Sequence, residues 1–493
     1  MVPLPRPILV LTTEPLPVPG GATTGAGLRA WGLAKGLAAA GLPVVVACPG
    51  ADGVRADFPG DAGEPGDVDN PGETGARPSS TAPPPGHVAA RTFLRYHPDA
   101  LPRLVAGVDP SCVVLQHWGL ASELPPLAVP LAIDLAGPHL LERLYWGDPE
   151  PDRSLLDKLA ALRRADFVVC SGERQRLYFL PYLAQAGHDL TAPDLLPVIP
   201  FSIPDIPEFA PHKAAAAGEP TFVYGGTFLA WQDPTGPIGW LLDELNRAGR
   251  GRLLFYGAPH PIAAHAAGPG NRFADLLARL RAHPRVEVRG TRPYDRLLEE
   301  YRTEGTVALD LMARNPEREL AYTTRTVVYL ACGLPVIHDD YSELSDVIRA
   351  HGAGWTLPSD GESAFRGVVR DILSGAAPLA TLRAGARAAA MAHRAEETIA
   401  PLAAWCHAPV PRPGRERAAL GHELLLRETR RARDDRDTAL ARVATLEGRM
   451  VHRLHQRLPG WAAALAPLAR WAAFPLATWV HHRLKGSSRP ARP

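Results

Sequence analysis

The chain has 493 residues, 46 % of them hydrophobic, and a formal net charge of only +1 at pH 7. That length exceeds one ordinary core and predicts two domains with appendages, and the near-neutral balance excludes an electrostatic case for nucleic acid. The five cysteines (Cys48, Cys112, Cys170, Cys332, Cys406) are widely spaced without a Cys-x-x-Cys pair. They read as buried apolar residues in a reducing compartment, not as a disulfide frame or zinc site.

The first apolar run, "PILVLT" at 7–12, is hemmed in by prolines and too short for a signal-peptide core, so it reads as a strand of a cytoplasmic protein. A glycine-rich loop, "PGGATTGAG", a helical stretch closed by Gly41 and a second strand, "PVVVACP", complete a β-loop-α-β unit. Periodicity is then lost over 50–87, a Gly/Pro/Asp/Ser-rich segment expected to be a disordered insertion. Alternation resumes with "CVVLQHWG", "PLAIDLAGPH" and "ADFVVCSG", which place His117, Asp134, His139 and Ser171 at strand ends, where open parallel sheets carry their sites.

A proline-studded linker around 196–220 leads to a second series of α/β units. It opens with "TFVYGGTFLAWQDPTGPI", read as a strand, a Gly225-Gly226 turn and a helix. Further strands follow in "RLLFYG", "RVEVRG", "GTVALDLM" and "GWTLP". The expected fold class is therefore α/β, with two doubly wound, Rossmann-like domains around a cleft: residues 1–205 and 206–413. A charged helix is expected over 414–458. Over 459–493 the tail sets Trp461, Leu465, Leu468, Ala472, Leu476 and Trp479 at helical spacing beside a basic end. Arg470, Pro467 and Pro475 count against a membrane span, which leaves peripheral attachment or packing on protein.

In their order and spacing, "ADFVVCSGERQRLYFL", "YGGTFLAWQDPTGPI" and "TTRTVVYLACGLPVI" resemble the GT-B glycosyltransferases, in particular a surface-polysaccharide branch near glycosyltransferase family 4. The resemblance covers roughly residues 7–400. It implies sugar transfer from a nucleoside diphosphate donor, held mainly by the C-terminal domain, to a glycan or lipid-linked acceptor on the N-terminal one. No cofactor and no metal are implied; the Asp-x-Asp at 67–69 falls in the aperiodic insertion and reads as chance.

Donor candidates under this resemblance are Gly225, Gly226, Thr227, Trp231, Glu319, Thr323, Thr324 and Arg325. A helix opening at Thr323-Thr324 would turn free N–H groups and its dipole toward a diphosphate, with Arg325 as a two-pronged partner. The bland alternative for Arg325 is an ion pair with Glu319 or a surface carboxylate. Trp231 either stacks on a base or sugar or packs under its loop, and Asp233 caps the helix after it. Two departures stand out. The family's Glu-x7-Glu pair falls on Leu320 and Val328, leaving Glu317 and Glu319 nearby, and the usual loop Arg and Lys are missing.

The N-terminal loop contributes Gly21, Thr23 and Thr24 toward acceptor or phosphate, without a Gly-x-Gly-x-x-Gly pattern. Asp134, His139 and His117 are the candidates for a base, which an inverting transferase needs and a retaining one does not. Glu173, Arg174 and Arg176 belong to the resemblance or simply open a helix. The rival readings are a non-catalytic GT-B scaffold or sugar-binding protein, favoured by Leu320 and Val328, and a nucleotide-sugar epimerase of the same fold.

Overall fold

The computed structural model describes residues 6–18, 20–50, 93–97, 100–202, 219–260 and 272–412, with scattered positions between 431 and 449. The expected insertion (from residue 51 on), residues 203–218 of the linker and the tail 459–493 lie outside the described residues. The chain divides into two compact units, Met1–Ala419 and Leu420–Pro493, and the described residues of the latter are helical. No described helix is long and apolar enough to cross a membrane.

The first half runs β1 (Ile8–Leu11), α1 (Gly25–Ala39), β2 (Val44–Pro49), β3 (Phe93–Tyr96), α2 (Leu101–Val108) and β4 (Cys112–Gln116). A 3-10 helix at Trp118–Ser122 follows, then β5 (Leu131–Leu135), α3 (His139–Trp146), α4 (Pro151–Arg164), β6 (Phe167–Cys170) and α5 (Glu173–Gln185). The second half runs β7 (Thr221–Phe228), α6 (Thr235–Ala248), β8 (Arg252–Pro259), α7 (Arg272–Ala282), β9 (Val286–Val288), α8 (Tyr294–Glu304) and β10 (Val307–Asp310). It continues with α9 (Pro316–Leu320), α10 (Thr324–Ala331), β11 (Val336–Asp339), α11 (Glu343–His351) and β12 (Gly354–Leu357). Four helices close this unit: α12 (Glu362–Ser374), α13 (Leu379–Met391), α14 (Ala395–Thr398) and α15 (Ala400–His407).

The strands form two parallel six-stranded sheets, ordered β3-β2-β1-β4-β5-β6 and β12-β11-β10-β7-β8-β9. Numbered within its own half, the second sheet repeats the order of the first, so each has a switch point, between β1 and β4 and between β7 and β10. Crevices open there, beyond the carboxyl ends. Strands β1, β4, β5 and β10 are buried at every position, which explains their largely apolar runs: helices cover both faces of a parallel sheet.

Two expectations are corrected. Gly225-Gly226 is not a turn: β7 runs through both glycines to Phe228, pairing with β8 as far as Pro259. The sequence division also gave everything to 413 to the second domain. Ile399, Leu402, Ala403 and Cys406 instead pack into the first domain's core with Leu33, Leu37 and Val114, so the chain returns to its starting domain.

The "SGERQR" segment joins the two domains. Glu343, opening α11, accepts hydrogen bonds from the N–H groups of Glu173 (2.8 Å) and Arg174 (3.1 Å), so one domain's carboxylate caps a helix of the other. Arg174 donates to the Glu319 carbonyl (3.3 Å) and to that of Tyr341, and Gln175 donates to the Leu320 carbonyl (3.1 Å). Arg176 stays outside and pairs with Glu173.

Candidate active site in the interdomain cleft

Both switch points open onto one cleft of about 660 Å³, lined from the first domain and from the second. Helices α1 and α10 start within it. Thr24 caps α1 by accepting from Gly27 N (3.1 Å), and its hydroxyl donates to Glu14 (3.0 Å). Thr23 donates to the Pro15 carbonyl (2.7 Å) and fixes the loop. Gly21 does not line the cleft; its carbonyl accepts from Tyr294 N (3.0 Å), tying the loop to α8.

Helix α10 has no side-chain cap, because the Thr323 hydroxyl that would serve turns instead to Asp310 (2.7 Å). Its first N–H groups are thus left for a ligand. A Cβ on Gly25 would sit 2.8 Å from Thr324 Oγ1, so the two helix starts abut. Two positive dipole ends therefore converge on one locus.

Arg325 enters from α10. One terminal nitrogen donates to Asp310 (3.0 Å) and the other to Gln232 (2.6 Å), with the guanidinium over the Tyr224 ring. Nε is buried without a partner. A side chain on Gly226, at φ +151°, would collide with this guanidinium, and one on Gly225 with the Tyr301 hydroxyl. The glycines therefore make room for Arg325 and Tyr301, in strand rather than turn geometry. Asp310, absent from the sequence candidates, also accepts from Thr326 and holds the group together. Burial works to raise its pKa, but Arg325, His338 and Arg318 together hold it below the ordinary carboxylate range. The alternative Arg325–Glu319 pair does not occur.

Thr227, Thr323, Thr324 and Trp231 all line the cleft. Trp231 is 5 % exposed, its indole N–H has no protein partner, and its ring lies 6.1 Å from Trp146 across the cleft. Asp233 accepts from Thr235 N (3.0 Å) at the start of α6, the capping role expected of it. Val328 lines the cleft, whereas Leu320 does not. Glu319, expected on the donor, faces away and pairs with Arg314 (2.8 Å). Of the two nearby glutamates it is Glu317 that lines the cleft, buried against Arg318 (2.8 Å) and pushed up to about 7 by burial.

The three base candidates separate. Asp134 is a correction: it is fully buried in a two-pronged pair with Arg29 (both 2.9 Å) and does not line the cleft. It ties β5 to α1 and has no free oxygen to offer an acceptor. His117 lines the cleft in the left-handed region (φ +93°), a strained conformation for histidine. Its Nδ1 accepts from Gly119 N (3.0 Å), and its buried Nε2 has no partner. His139 opens α3 with its ring 4.4 Å from that of His117, and Nδ1 lies 3.1 Å from Glu142. Burial, then Arg143 and Lys158, push His139 down to about 3, and burial pushes Glu142 up to about 7. Behind them lies Lys158, fully buried, with Nζ 4.1 Å from the centre of the Tyr182 ring and 4.5 Å from that of Phe179. Glu142 was missed in the sequence, although its place one helical turn after His139 was the available signal. Among the described residues, no group of three or more His, Cys, Asp or Glu side chains is placed to hold a metal.

No protein-family model and no curated protein matches the chain. Among solved structures it is similar to a sucrose-phosphate synthase from Thermosynechococcus elongatus, at 18 % identity and TM-score 0.50, covering 87 % of this chain and 100 % of that one. It is similar to the trehalose-6-phosphate synthase OtsA at 12 % identity and TM-score 0.55, with 82 % and 100 % covered. WaaG, a glycosyltransferase involved in lipopolysaccharide biosynthesis, matches at 14 % identity and TM-score 0.51, with 81 % and 100 % covered. Identities this low speak for the fold alone. With its two parallel sheets of one strand order around a shared cleft, the chain has the GT-B fold.

Proposed function

We propose that the chain is a glycosyltransferase that moves a sugar from a nucleoside diphosphate donor to an acceptor hydroxyl. The observation that carries this reading is the meeting of the α1 start and the uncapped α10 start beside Arg325. These groups suit a diphosphate and stabilise the negative charge that develops on it as the sugar leaves. His139 and Glu142 form the pair that takes the acceptor proton, a carboxyl near 7 being matched to base chemistry at neutral pH. No metal is assigned a role. The place near family 4, in surface-polysaccharide assembly, rests on the motif resemblance and on likeness to an enzyme of lipopolysaccharide biosynthesis.

The test is thermal unfolding with UDP, GDP and dTDP. Ligand at a hundred times its dissociation constant stabilises by about 2.7 kcal/mol, a shift of several degrees. The scaffold reading, favoured by Leu320 and Val328, predicts no shift with any nucleotide and no hydrolysis of any nucleotide sugar.

A further inference from the structure

The two halves of the cleft differ in charge. Among the described lining residues, the second domain contributes three arginines, Arg292, Arg318 and Arg325, and one carboxylate, Glu317. The first domain contributes three carboxylates, Glu14, Glu123 and Glu142, and a single arginine. That arginine, Arg29, has no exposed side-chain surface and is committed to Asp134 and to the Pro200 carbonyl (2.9 Å). Lys158 lies nearby but is sealed behind the wall among aromatic rings and does not line the cleft. Among its described lining residues the first-domain half thus has acceptor oxygens and no free cation.

Trp146 of the first domain and Trp231 of the second meet where the halves join, their ring centres 6.1 Å apart, and form one aromatic wall. The Trp231 N–H is buried without a protein partner, in a residue 95 % withdrawn from solvent that lines the cleft. An indole face in a cleft half lined by carboxylates suits a pyranose: a C–H face stacks on the ring and hydroxyls donate to the carboxylates. A phosphate in the same place would meet like charge and, among the described lining residues of that half, no free cation.

We propose that the acceptor is an uncharged saccharide, bound in the first-domain half of the cleft against the wall that Trp146 and Trp231 form, with Glu14 and Glu123 taking its hydroxyls, and not a sugar phosphate. This rests on the donor assignment above. The test uses the full-length protein saturated with whichever of UDP, GDP or dTDP stabilises it, titrated with methyl hexosides and with the corresponding hexose 6-phosphates and followed by tryptophan fluorescence. At least one methyl hexoside is expected to bind about tenfold or more tighter than its 6-phosphate counterpart. Trp146→Ala is expected to weaken that binding severalfold and leave nucleotide affinity unchanged. Glu123→Lys, at an exposed position, is expected to narrow the preference against the phosphate. Equal or tighter binding of the 6-phosphates overturns the inference while the donor assignment stands, and so does nucleotide binding with no uncharged saccharide bound. Absence of any nucleotide effect overturns the donor assignment and this inference with it.

Discussion

Asp134→Asn separates a catalytic carboxylate from a structural one. Asp134 and Arg29 have no exposed side-chain surface and meet through two hydrogen bonds of 2.9 Å; Arg29 has one other bond, to the Pro200 carbonyl. Asparagine keeps the shape but removes the charge, leaving the guanidinium buried and uncompensated. Breaking such a pair from one side costs about 3–5 kcal/mol. For a domain of this size each kcal/mol moves the melting temperature by about 2–4 °C, so a fall of about 10 °C is expected. Replacing both residues with leucine or methionine should recover most of it, because the desolvation cost goes with the charges. Differential scanning calorimetry of wild type, both single variants and the double variant closes the cycle. An Asp134→Asn protein that melts like wild type but has lost glycosyl transfer would refute the structural assignment and restore Asp134 as the base.

Arg325→Ala should weaken nucleotide binding by about 1.5–3 kcal/mol, and lysine should restore only part because a point charge cannot copy the fork; calorimetric titration reads both. The same alanine variant should also lose stability, since Asp310 is left buried without its main partner. Burial raises both Glu142 and Glu317 from 4.5 to about 7, so the folded state holds their protons more tightly than the unfolded chain. That contribution is fully present below pH 4.5 and is lost as pH rises through 7. Melting curves from pH 4.5 to 8 should show a shallower decline for Glu142→Gln than for wild type, and parallel curves would disprove the buried titration. Deletion of residues 459–493 should abolish cosedimentation with anionic liposomes, and high salt should release part of the full-length protein. A full-length chain that ignores such liposomes makes the tail a packing element.

Much of the architecture was legible because parallel α/β units write themselves locally. Runs such as "ILVL" and "CVVLQ" are buried at every position and almost wholly apolar because both faces are covered, and glycine breaks end the helices between them. The start of α10 at Thr323-Thr324 followed from the same local chemistry, and with it a helix mouth suited to an anion.

What only tertiary structure decided is which side chains meet and which way they face. Glu317 and Glu319 look equivalent in sequence, but two residues on a helix turn about 200°, so one enters the cleft and the other leaves it. Asp134 looked like a base at a strand end until Arg29, 105 positions earlier, proved to occupy both its oxygens. Gly225-Gly226 looked like a turn because glycine is permissive, whereas these glycines leave room for Tyr301 and Arg325 arriving from other helices. Periodicity and turn chemistry act over a few residues and are carried by the chain itself. Occupancy of an oxygen, or of the space beside a glycine, depends on long-range packing and exists only once the sheets and helices have closed around it.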